Sequence, residues 1–261
     1  PLYSRVTQGA YPPASTVKPF IAVSALQENV ITPSMTIYDP GYWSLPNSTK
    51  RFRDWRKGGH GMTNLNKAIT ESSDTYFYQT AYNMGIDRLS AWMKRFGFGV
   101  PTGIDIQEET GANMPTREWK QKRYKKAWVQ GDTISVGIGQ GYWTATPLQL
   151  AKATSILVNN GKVNTPHLMK SVEGSVVEPY KDPLPYEDIT EPKQYFWDEA
   201  KRGMYNVVNS AGGTGRKAFI GTPYRVAGKS GTAQVFSLKE NQSYNAGALK
   251  KELHDHAWFI A

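Results

Sequence analysis

The segment YPPASTVKPF, residues 11–20, places a serine and a lysine three positions apart at the start of an apolar run. Pro19 falls where the first N–H groups of a helix lack partners within that helix. We therefore expect a helix to begin at about Ser15 and to cover residues 16–29. Residues i and i+3 are neighbours on a helix surface. Ser15 is thus a candidate nucleophile and Lys18 its general base, because a serine hydroxyl is a weak nucleophile until a base removes its proton.

This serine–lysine pattern also has a purely structural explanation. Serine is a favoured helix N-cap, and a lysine in the first turn can simply lie on the surface. Ser-x-x-Lys occurs by chance in many chains of this length, so the assignment depends on the rest of the sequence.

The composition is that of a packed globular chain. Hydrophobic residues make up 39% of the 261 residues and aromatic residues 12%, which is enough for a sizeable core. Cysteine is absent, which excludes disulfides and thiolate metal sites. No uncharged apolar run approaches the roughly 18 residues of a membrane span.

Much of the formal net charge of +9 lies in REWKQKRYKK, residues 117–126, which contains six basic residues and one acidic residue. Such a segment can contact nucleic acid, anionic lipid or an acidic wall polymer. A solvated lysine-rich face is the simpler explanation, and no nucleic-acid-binding motif accompanies it. We expect no nucleic-acid partner.

Hydrophobic periodicity predicts a mixture of helices and strands. Residues 32–49 are rich in proline, glycine and asparagine, which favours an irregular loop. Strands are expected at 224–236 and 256–261, and the second is expected to pair with the first. Helices in the middle of the chain and strands at its end indicate an α+β fold. Helices are expected in five segments: 16–29, 63–85 with a polar break at Glu71–Asp74, 86–97, 146–161 and 196–210.

The segment KSGTAQVF, residues 229–236, offers a lysine and two hydroxyls at the start of a strand. An anionic substrate can lie along the strand edge, with Lys229, Ser230 and Thr232 gathering its carboxylate. Gly231 suits a point where close approach leaves no room for a side chain. An ordinary edge strand guarded by a lysine explains the same residues.

A third polar motif, ESSDT at residues 71–75, falls at the break between two helical segments. Ser72 and Asp74 can face a cleft together if the backbone there is not helical. A common helix cap also accounts for them.

In chain order these motifs match the serine–lysine, serine–acid and lysine–glycine motifs of penicillin-binding proteins and serine β-lactamases. YPPASTVKPF, ESSDTYFYQ, GIGQGYWTATPLQLA and KSGTAQVF resemble the class B penicillin-binding proteins, the monofunctional transpeptidases of peptidoglycan. RDW and GHG within 53–61, and NMPTREWKQKR at 113–123, are most similar to the elongation-specific group, penicillin-binding protein 2 of Gram-negative bacteria. The resemblance covers nearly the whole chain. It implies a penicillin-binding transpeptidase or serine β-lactamase-like fold, in which an antiparallel sheet flanked by helices lies beside a helical subdomain.

The resemblance implies a catalytic role for five residues. Ser15 would be acylated, and Lys18 would be its general base. Ser72 would relay protons towards the leaving group, and Asp74 stands where most relatives carry asparagine. Lys229 would shape the electrostatics of the site.

The resemblance also implies how the substrate binds and reacts. Ser230, Gly231 and Thr232 would hold the terminal carboxylate, and the backbone N–H groups of Ser15 and Thr232 would form an oxyanion hole. The expected reaction is D,D-transpeptidation of D-Ala-D-Ala stem peptides, inhibited by β-lactams, with D-Ala-D-Ala carboxypeptidase activity as a side reaction.

The resemblance also implies a zinc site at Asp39, Asp54 and His60, where some relatives of penicillin-binding protein 2 look able to bind the metal with a cysteine as the fourth ligand. Ser73 occupies that fourth position here, and a hydroxyl is a poor zinc ligand. A three-ligand zinc site, an empty site and a loop histidine hydrogen-bonded to aspartate are the alternatives, and no cofactor is required for the reaction. His254 and His256 are expected to be loop residues.

The family's organisation implies the cellular context. Residues 1–261 are expected to be a transpeptidase domain that is incomplete at both ends, in the periplasm and attached through an N-terminal anchor to the inner membrane. A SEDS-type glycan polymerase and proteins of the elongation complex are the expected partners in cell-shape maintenance. The alternatives are a β-lactamase or β-lactam sensor and, outside enzymes, a non-catalytic module that binds anionic polymers.

Overall fold

The computed structural model describes residues 3–171, 173–174, 187–234 and 255–261, and these form an α+β structure. This fold class was predicted from the sequence and is confirmed. Short 3-10 helices span Ala14–Val17 and Arg216–Phe219. The α-helices are α1 (Arg5–Gln8), α2 (Lys18–Gln27), α3 (Leu65–Thr70), α4 (Asp74–Met84), α5 (Ile86–Arg95), α6 (Arg117–Tyr124), α7 (Gln130–Val136), α8 (Pro147–Val158) and α9 (Gln194–Asn209). The strands are β1 (Ile37–Asp39), β2 (Tyr42–Ser44), β3 (Arg51–Arg53), β4 (Gly61–Thr63), β5 (Lys229–Ala233) and β6 (His256–Ile260).

Helix α2 is the centre of the molecule. Every residue from Lys18 to Leu26 is buried, as expected for a helix that is apolar all round. It packs against α3, α5 and α9. The 3-10 turn that precedes it contains Ser15, so the predicted helix start is confirmed and the α-helix itself follows at Lys18.

The predicted break at Glu71–Asp74 separates α3 from α4. The Ser73 side chain caps α4 by accepting a hydrogen bond from Tyr76 N. Ser72 has a positive φ of 58°, in the left-handed region that non-glycine residues rarely adopt. This turn changes the chain direction and sends neighbouring side chains to different sides.

Strands β5 and β6 pair antiparallel, with Lys229 opposite Ile260 and Ala233 opposite His256. The predicted pairing of these two segments is confirmed, but β5 begins at Lys229, later than predicted. Positions 235–236 and the loop at 237–253 lie outside the described residues. His256 belongs to β6 and its ring lies 4.8 Å from that of Tyr11, so its prediction as a loop residue is wrong. His254 lies outside the described residues.

Two further predictions need correction. Residues 32–49 are not an irregular loop throughout, because β1 pairs with β4 and β2 pairs with β3. These three-residue strands are too short for a periodic signal. The basic segment is not fully solvated either: it forms α6, and Lys120 is buried against Asp132. No helix in the described part of the chain combines the length and apolar character of a bilayer span.

Candidate active site

An open cleft of about 410 Å³ brings the three sequence motifs together. Residues more than 200 positions apart in the chain meet there because the 3-10 turn before α2 packs against β5 and β6. The predicted residues that line the cleft are Ser15, Ser72, Asp74, Ser230, Gly231 and Thr232.

Lys18 lies buried beside the cleft and donates three hydrogen bonds. Its Nζ is 3.0 Å from Ser72 O, 3.1 Å from Ser72 Oγ and 2.7 Å from Asp74 Oδ1. Three acceptors match the three N–H donors of an ammonium group. The backbone N–H of Lys18 donates to Ser15 O, but among the described residues no hydrogen bond joins the Lys18 amine to the Ser15 hydroxyl. The structure therefore ties the amine of Lys18 to the Ser72–Asp74 motif.

Lys229 reaches the same hydroxyl from the other motif. Its Nζ lies 2.9 Å from Ser72 Oγ and 2.8 Å from Ser230 O. Burial, together with the nearby charge of Lys18, lowers the pKa of Lys229 well below its ordinary value, and the Asp74 carboxylate opposes this only in part. Two acceptors match the two N–H donors of a neutral amine, which leaves its lone pair available.

The turn that presents Ser72 is held from behind by a buried carboxylate. Asp54 Oδ2 accepts hydrogen bonds from Asp74 N at 2.7 Å and Thr75 N at 2.9 Å. These are the first N–H groups of α4, which have no partners within the helix. Burial and then the Asp74 carboxylate raise the pKa of Asp54. Asp54 thereby positions the Ser72–Asp74 motif without facing the cleft.

The predicted metal-site residues Asp39, Asp54 and His60 do come together, with their ligand atoms within 4.8 Å of one another. His60 Nδ1 lies 2.7 Å from Asp39 Oδ2 and 3.6 Å from Asp54 Oδ1. Ser73 Oγ donates to Asp39 Oδ2 at 2.8 Å. Burial alone would raise the pKa of Asp39, but the hydrogen bonds from His60, Ser73 and Gly41 lower it.

This arrangement is one of hydrogen bonds and does not fit a zinc centre as it stands. Two ligands of a tetrahedral zinc ion, each about 2.0 Å from the metal, lie about 3.3 Å apart. His60 Nδ1 and Asp39 Oδ2 are closer than that and share a hydrogen bond. Ser73 supplies a hydroxyl where a thiolate would complete the coordination. His60 Nε2 is buried without a hydrogen-bond partner in the described structure.

The strand edge along the cleft has the close approach that the glycine predicted. A Cβ on Gly231 would lie 3.0 Å from Thr16 N and 3.2 Å from Pro13 O. Ser230 Oγ is 2.7 Å from the hydroxyl of Thr214. Gly231 thus lets β5 lie directly against the turn that carries the nucleophile candidate.

Four residues that line the cleft were not predicted as site residues: Trp55, Ile138, Gln140 and Thr214. The indole N–H of Trp55 lies 3.0 Å from Ser72 O, and its backbone N–H lies 3.1 Å from Asp74 Oδ2. Gln140 belongs to the GIGQG segment, which contributed to the family resemblance but was assigned no role in the site. Thr214 lies in the glycine-rich segment AGGTGR, for which the sequence predicted only a flexible turn.

Comparison with known proteins agrees with this geometry. The penicillin-binding protein transpeptidase domain family matches residues 1–261. The chain is 81% identical over 261 residues to the peptidoglycan D,D-transpeptidase MrdA of Haemophilus influenzae, and 58% identical over 264 residues to that of Escherichia coli. Both alignments cover 100% of this chain but only 40% and 41% of those relatives.

Solved structures show the same fold. Pseudomonas aeruginosa PBP2, in complex with WCK 5153, superposes with a TM-score of 0.88 at 45% identity, over 99% of this chain and 54% of that one. Helicobacter pylori PBP2, in its complex with MreC, gives a TM-score of 0.81 at 35% identity, over 99% of this chain and 44% of that one. With its three motifs gathered in one cleft and the family matched from end to end, the chain belongs to the penicillin-binding protein transpeptidase family.

Proposed function

We propose that the chain is the catalytic domain of a peptidoglycan D,D-transpeptidase that works through an acyl-enzyme on Ser15. The observation that carries the proposal is the Ser72 hydroxyl, to which the buried amines of Lys18 and Lys229 both donate beside the cleft that Ser15 lines. This arrangement links two buried amines through one rotatable hydroxyl, as a proton relay requires.

The relay can make Lys18 a base without changing the net charge. The Lys229 amine first rotates so that its lone pair, in place of an N–H group, faces the Ser72 hydroxyl. Lys18 then gives a proton to Ser72 Oγ, and Ser72 gives its own proton to the lone pair of Lys229. The neutral Lys18 amine then takes the proton of Ser15 as Ser15 Oγ bonds to the carbonyl carbon of the penultimate D-Ala. A hydrogen bond between the Lys18 amine and the Ser15 hydroxyl would form when substrate binds, since catalytic contacts often tighten only in the complex.

Acyl transfer then proceeds in two steps. Backbone N–H groups of Ser15 and Thr232 would stabilise the tetrahedral oxyanion. The proton returns through Ser72 to the amine of the terminal D-Ala as its C–N bond breaks. A side-chain amine of a neighbouring stem peptide attacks the ester, restores the Ser15 hydroxyl and completes the cross-link. Ser230 and Thr232 would hold the substrate's terminal carboxylate. Zinc takes part in none of these steps.

The wider setting is inferred from the relatives. The chain spans about two fifths of the length of the curated relatives it matches, so the activity and partners of a whole protein are part of the proposal. One similar solved structure, from Helicobacter pylori, is a complex with MreC, and another is of a peptidoglycan synthase complex. We infer a periplasmic, membrane-anchored setting, with elongation-complex proteins and a SEDS-type glycan polymerase as partners.

The test is the intact mass of the protein after incubation with benzylpenicillin. We expect a stable adduct on Ser15 that is lost in Ser15→Ala and kept in Ser34→Ala, an exposed serine that controls for the substitution. Circular dichroism checks that each protein is folded. Folded wild-type protein without an adduct would refute the acyl-enzyme. Rapid hydrolysis of the adduct would instead identify a β-lactamase.

A further inference from the structure

We propose that a surface built on α6 binds the sugar and peptide chain of peptidoglycan beside the catalytic cleft. The inference rests on the proposed function and adds to it a second contact region for the same polymer. The surface has two parts. Its aromatic platform comprises Trp119, Tyr124, Trp128 and Tyr142, and its basic rim comprises Lys122, Arg123, Lys125 and Lys126.

The aromatic platform is one continuous group of rings. The Tyr142 ring centroid lies 5.2 Å from that of Trp119, 5.5 Å from Tyr124 and 6.3 Å from Trp128. The buried Lys120 amine lies 5.6 Å from the Tyr142 centroid and 5.9 Å from the Trp128 centroid. It also pairs with Asp132. The rings are therefore held in place but only partly buried, and Tyr124 remains 47% exposed.

The basic rim carries four positive charges, and the Arg123 guanidinium lies 6.0 Å from the centroid of the Tyr124 ring in the platform. Its four side chains are all exposed. Within the described ranges, none of them pairs with a carboxylate, whereas Arg117 at the start of the same helix pairs with Asp87 at 3.0 Å. Four positive charges within five positions of one another give a strong local field for an anionic ligand.

The platform is continuous with the catalytic cleft through the GIGQG turn. Ala14, next to the nucleophile candidate, donates from its backbone N to Gly139 O at 2.9 Å. Gly139 has a φ of 71°, and a Cβ there would collide with Ala14 O. Gln140 then lines the cleft, and Tyr142 follows two positions later in the platform. One turn therefore supplies a residue to the cleft and, two positions later, a ring to the platform.

Peptidoglycan has the chemistry that such a surface recognises. The apolar faces of its sugar rings can lie on aromatic rings, and its stem peptides carry carboxylates for the basic rim. Nucleic acid or anionic lipid would satisfy the basic rim as well. Neither explains why the platform adjoins the cleft of a peptidoglycan enzyme, so we favour the polymer whose scissile bond the cleft would receive.

The test measures binding outside the occupied cleft. Protein containing the whole chain is first acylated with benzylpenicillin, and binding of a fluorescent N-acetylglucosaminyl-N-acetylmuramyl pentapeptide is followed by anisotropy. We expect Lys122→Gln/Lys126→Gln and, separately, Tyr124→Ala to weaken binding about three- to tenfold. Lys94→Gln/Lys162→Gln, which removes the same charge elsewhere, should leave the Kd unchanged. Higher salt should weaken binding by the wild type more than by the double variant of the rim.

The failures of the two proposals are separable. Acylation by benzylpenicillin should be equal in all these variants, because the drug does not reach the platform. Loss of acylation in the wild type would refute the proposed function, and binding would then be measured on unacylated protein. Equal Kd values for wild type and platform variants would overturn the proposed surface. It would also be overturned if only phosphatidylglycerol vesicles or single-stranded oligonucleotides, and not the muropeptide, bound in a platform-dependent way.

Discussion

Two buried polar clusters lie on either side of the same turn, and they differ in charge and in access. The cleft-side cluster joins Lys18, Lys229 and Asp74 around the Ser72 hydroxyl. The rear cluster joins Asp39, Asp54 and His60 around the Ser73 hydroxyl. Adjacent serines thus serve different clusters, because the left-handed backbone at residue 72 turns the chain between them.

We expect the cleft-side cluster to act in the reaction and the rear cluster to stabilise the turn. The cleft-side cluster has two amines for one carboxylate and borders the cleft through Ser72 and Asp74, so protons and substrate can reach it from there. The rear cluster has two carboxylates for one imidazole and is buried. Its Asp54 holds the N–H groups that begin α4. A substitution in the cleft-side cluster should therefore affect the rate of acylation, and a substitution in the rear cluster should affect the free energy of unfolding.

The largest expected effect is that of a substitution in the cleft-side cluster on the rate of acylation. Lys229→Met removes the proton acceptor of the relay and should slow acylation by benzylpenicillin about 100- to 10,000-fold, the usual contribution of general acid–base catalysis. The measurement is the second-order rate of adduct formation. Lys152→Met, at a buried lysine that donates to Thr102 O away from the cleft, is the matched control and should change that rate by less than about twofold.

Lys229→Met should also change how the free energy of unfolding depends on pH. Because the pKa of Lys229 is lowered well below 10.5 in the folded protein, the unfolded chain binds more protons between these two values. The wild type therefore gains stability as pH rises through that window, and the variant does not. Urea unfolding at several pH values measures this. A wild type that loses stability relative to the variant as pH rises there would contradict a neutral Lys229.

The next effect tests the rear cluster. Asp54→Ala leaves the backbone N–H groups of Asp74 and Thr75 unpartnered in a buried place, which should lower the free energy of unfolding by about 2–4 kcal/mol. Asp105 also accepts two backbone N–H bonds, from Leu168 and Met169, but in an exposed position. Asp105→Ala is therefore the control and should cost clearly less. Equal losses would show that burial of Asp54 does not matter.

Local patterns nominated the candidate site residues, and long-range contacts decided how those residues are arranged. Ser15 and Lys18 are three positions apart, and Ser72 and Asp74 two apart, so spacing alone nominated them. The identity of Lys18's acceptors depends on a contact 54 positions away, which no local pattern contains. The spacing predicted a partnership with Ser15, whereas the structure shows one with Ser72.

The same limit explains what the sequence did not predict. Trp55 reaches the Ser72 carbonyl across 17 positions, and Thr214 reaches Ser230 across 16. Lys120 looked like one lysine among several in a basic run until α6 placed it beside Asp132. The α2 helix was easier to predict, because its apolar residues and Pro19 are contiguous. Side chains become predictable from sequence when their partners lie within one or two turns.

A smaller effect tests whether the rear cluster can become a metal site. Ser73→Ala and Ser73→Cys both lose the hydroxyl that caps α4 and bonds Asp39, and each should cost about 1–2 kcal/mol without metal. Only the cysteine variant gains a thiolate beside two carboxylates and an imidazole, so Zn²⁺ should restore its Tm and leave that of the alanine variant unchanged. Equal responses of the two variants to Zn²⁺ would show that the thiolate does not complete a site.

The smallest expected effect is a shift in the pH dependence of the acylation rate when Asp74 in the cleft-side cluster is substituted. In the proposed relay, acylation requires the lone pair of Lys229, so its rate should fall as pH drops and Lys229 takes up a proton. The Asp74 carboxylate raises the pKa of Lys229. Asp74→Asn removes that charge, so the acidic limb of the rate profile should move to lower pH. Profiles normalised to their maxima separate this shift from any loss of rate. A limb that moved to higher pH would mean that Asp74 acts on the relay through its hydrogen bond to Lys18 and not through its charge.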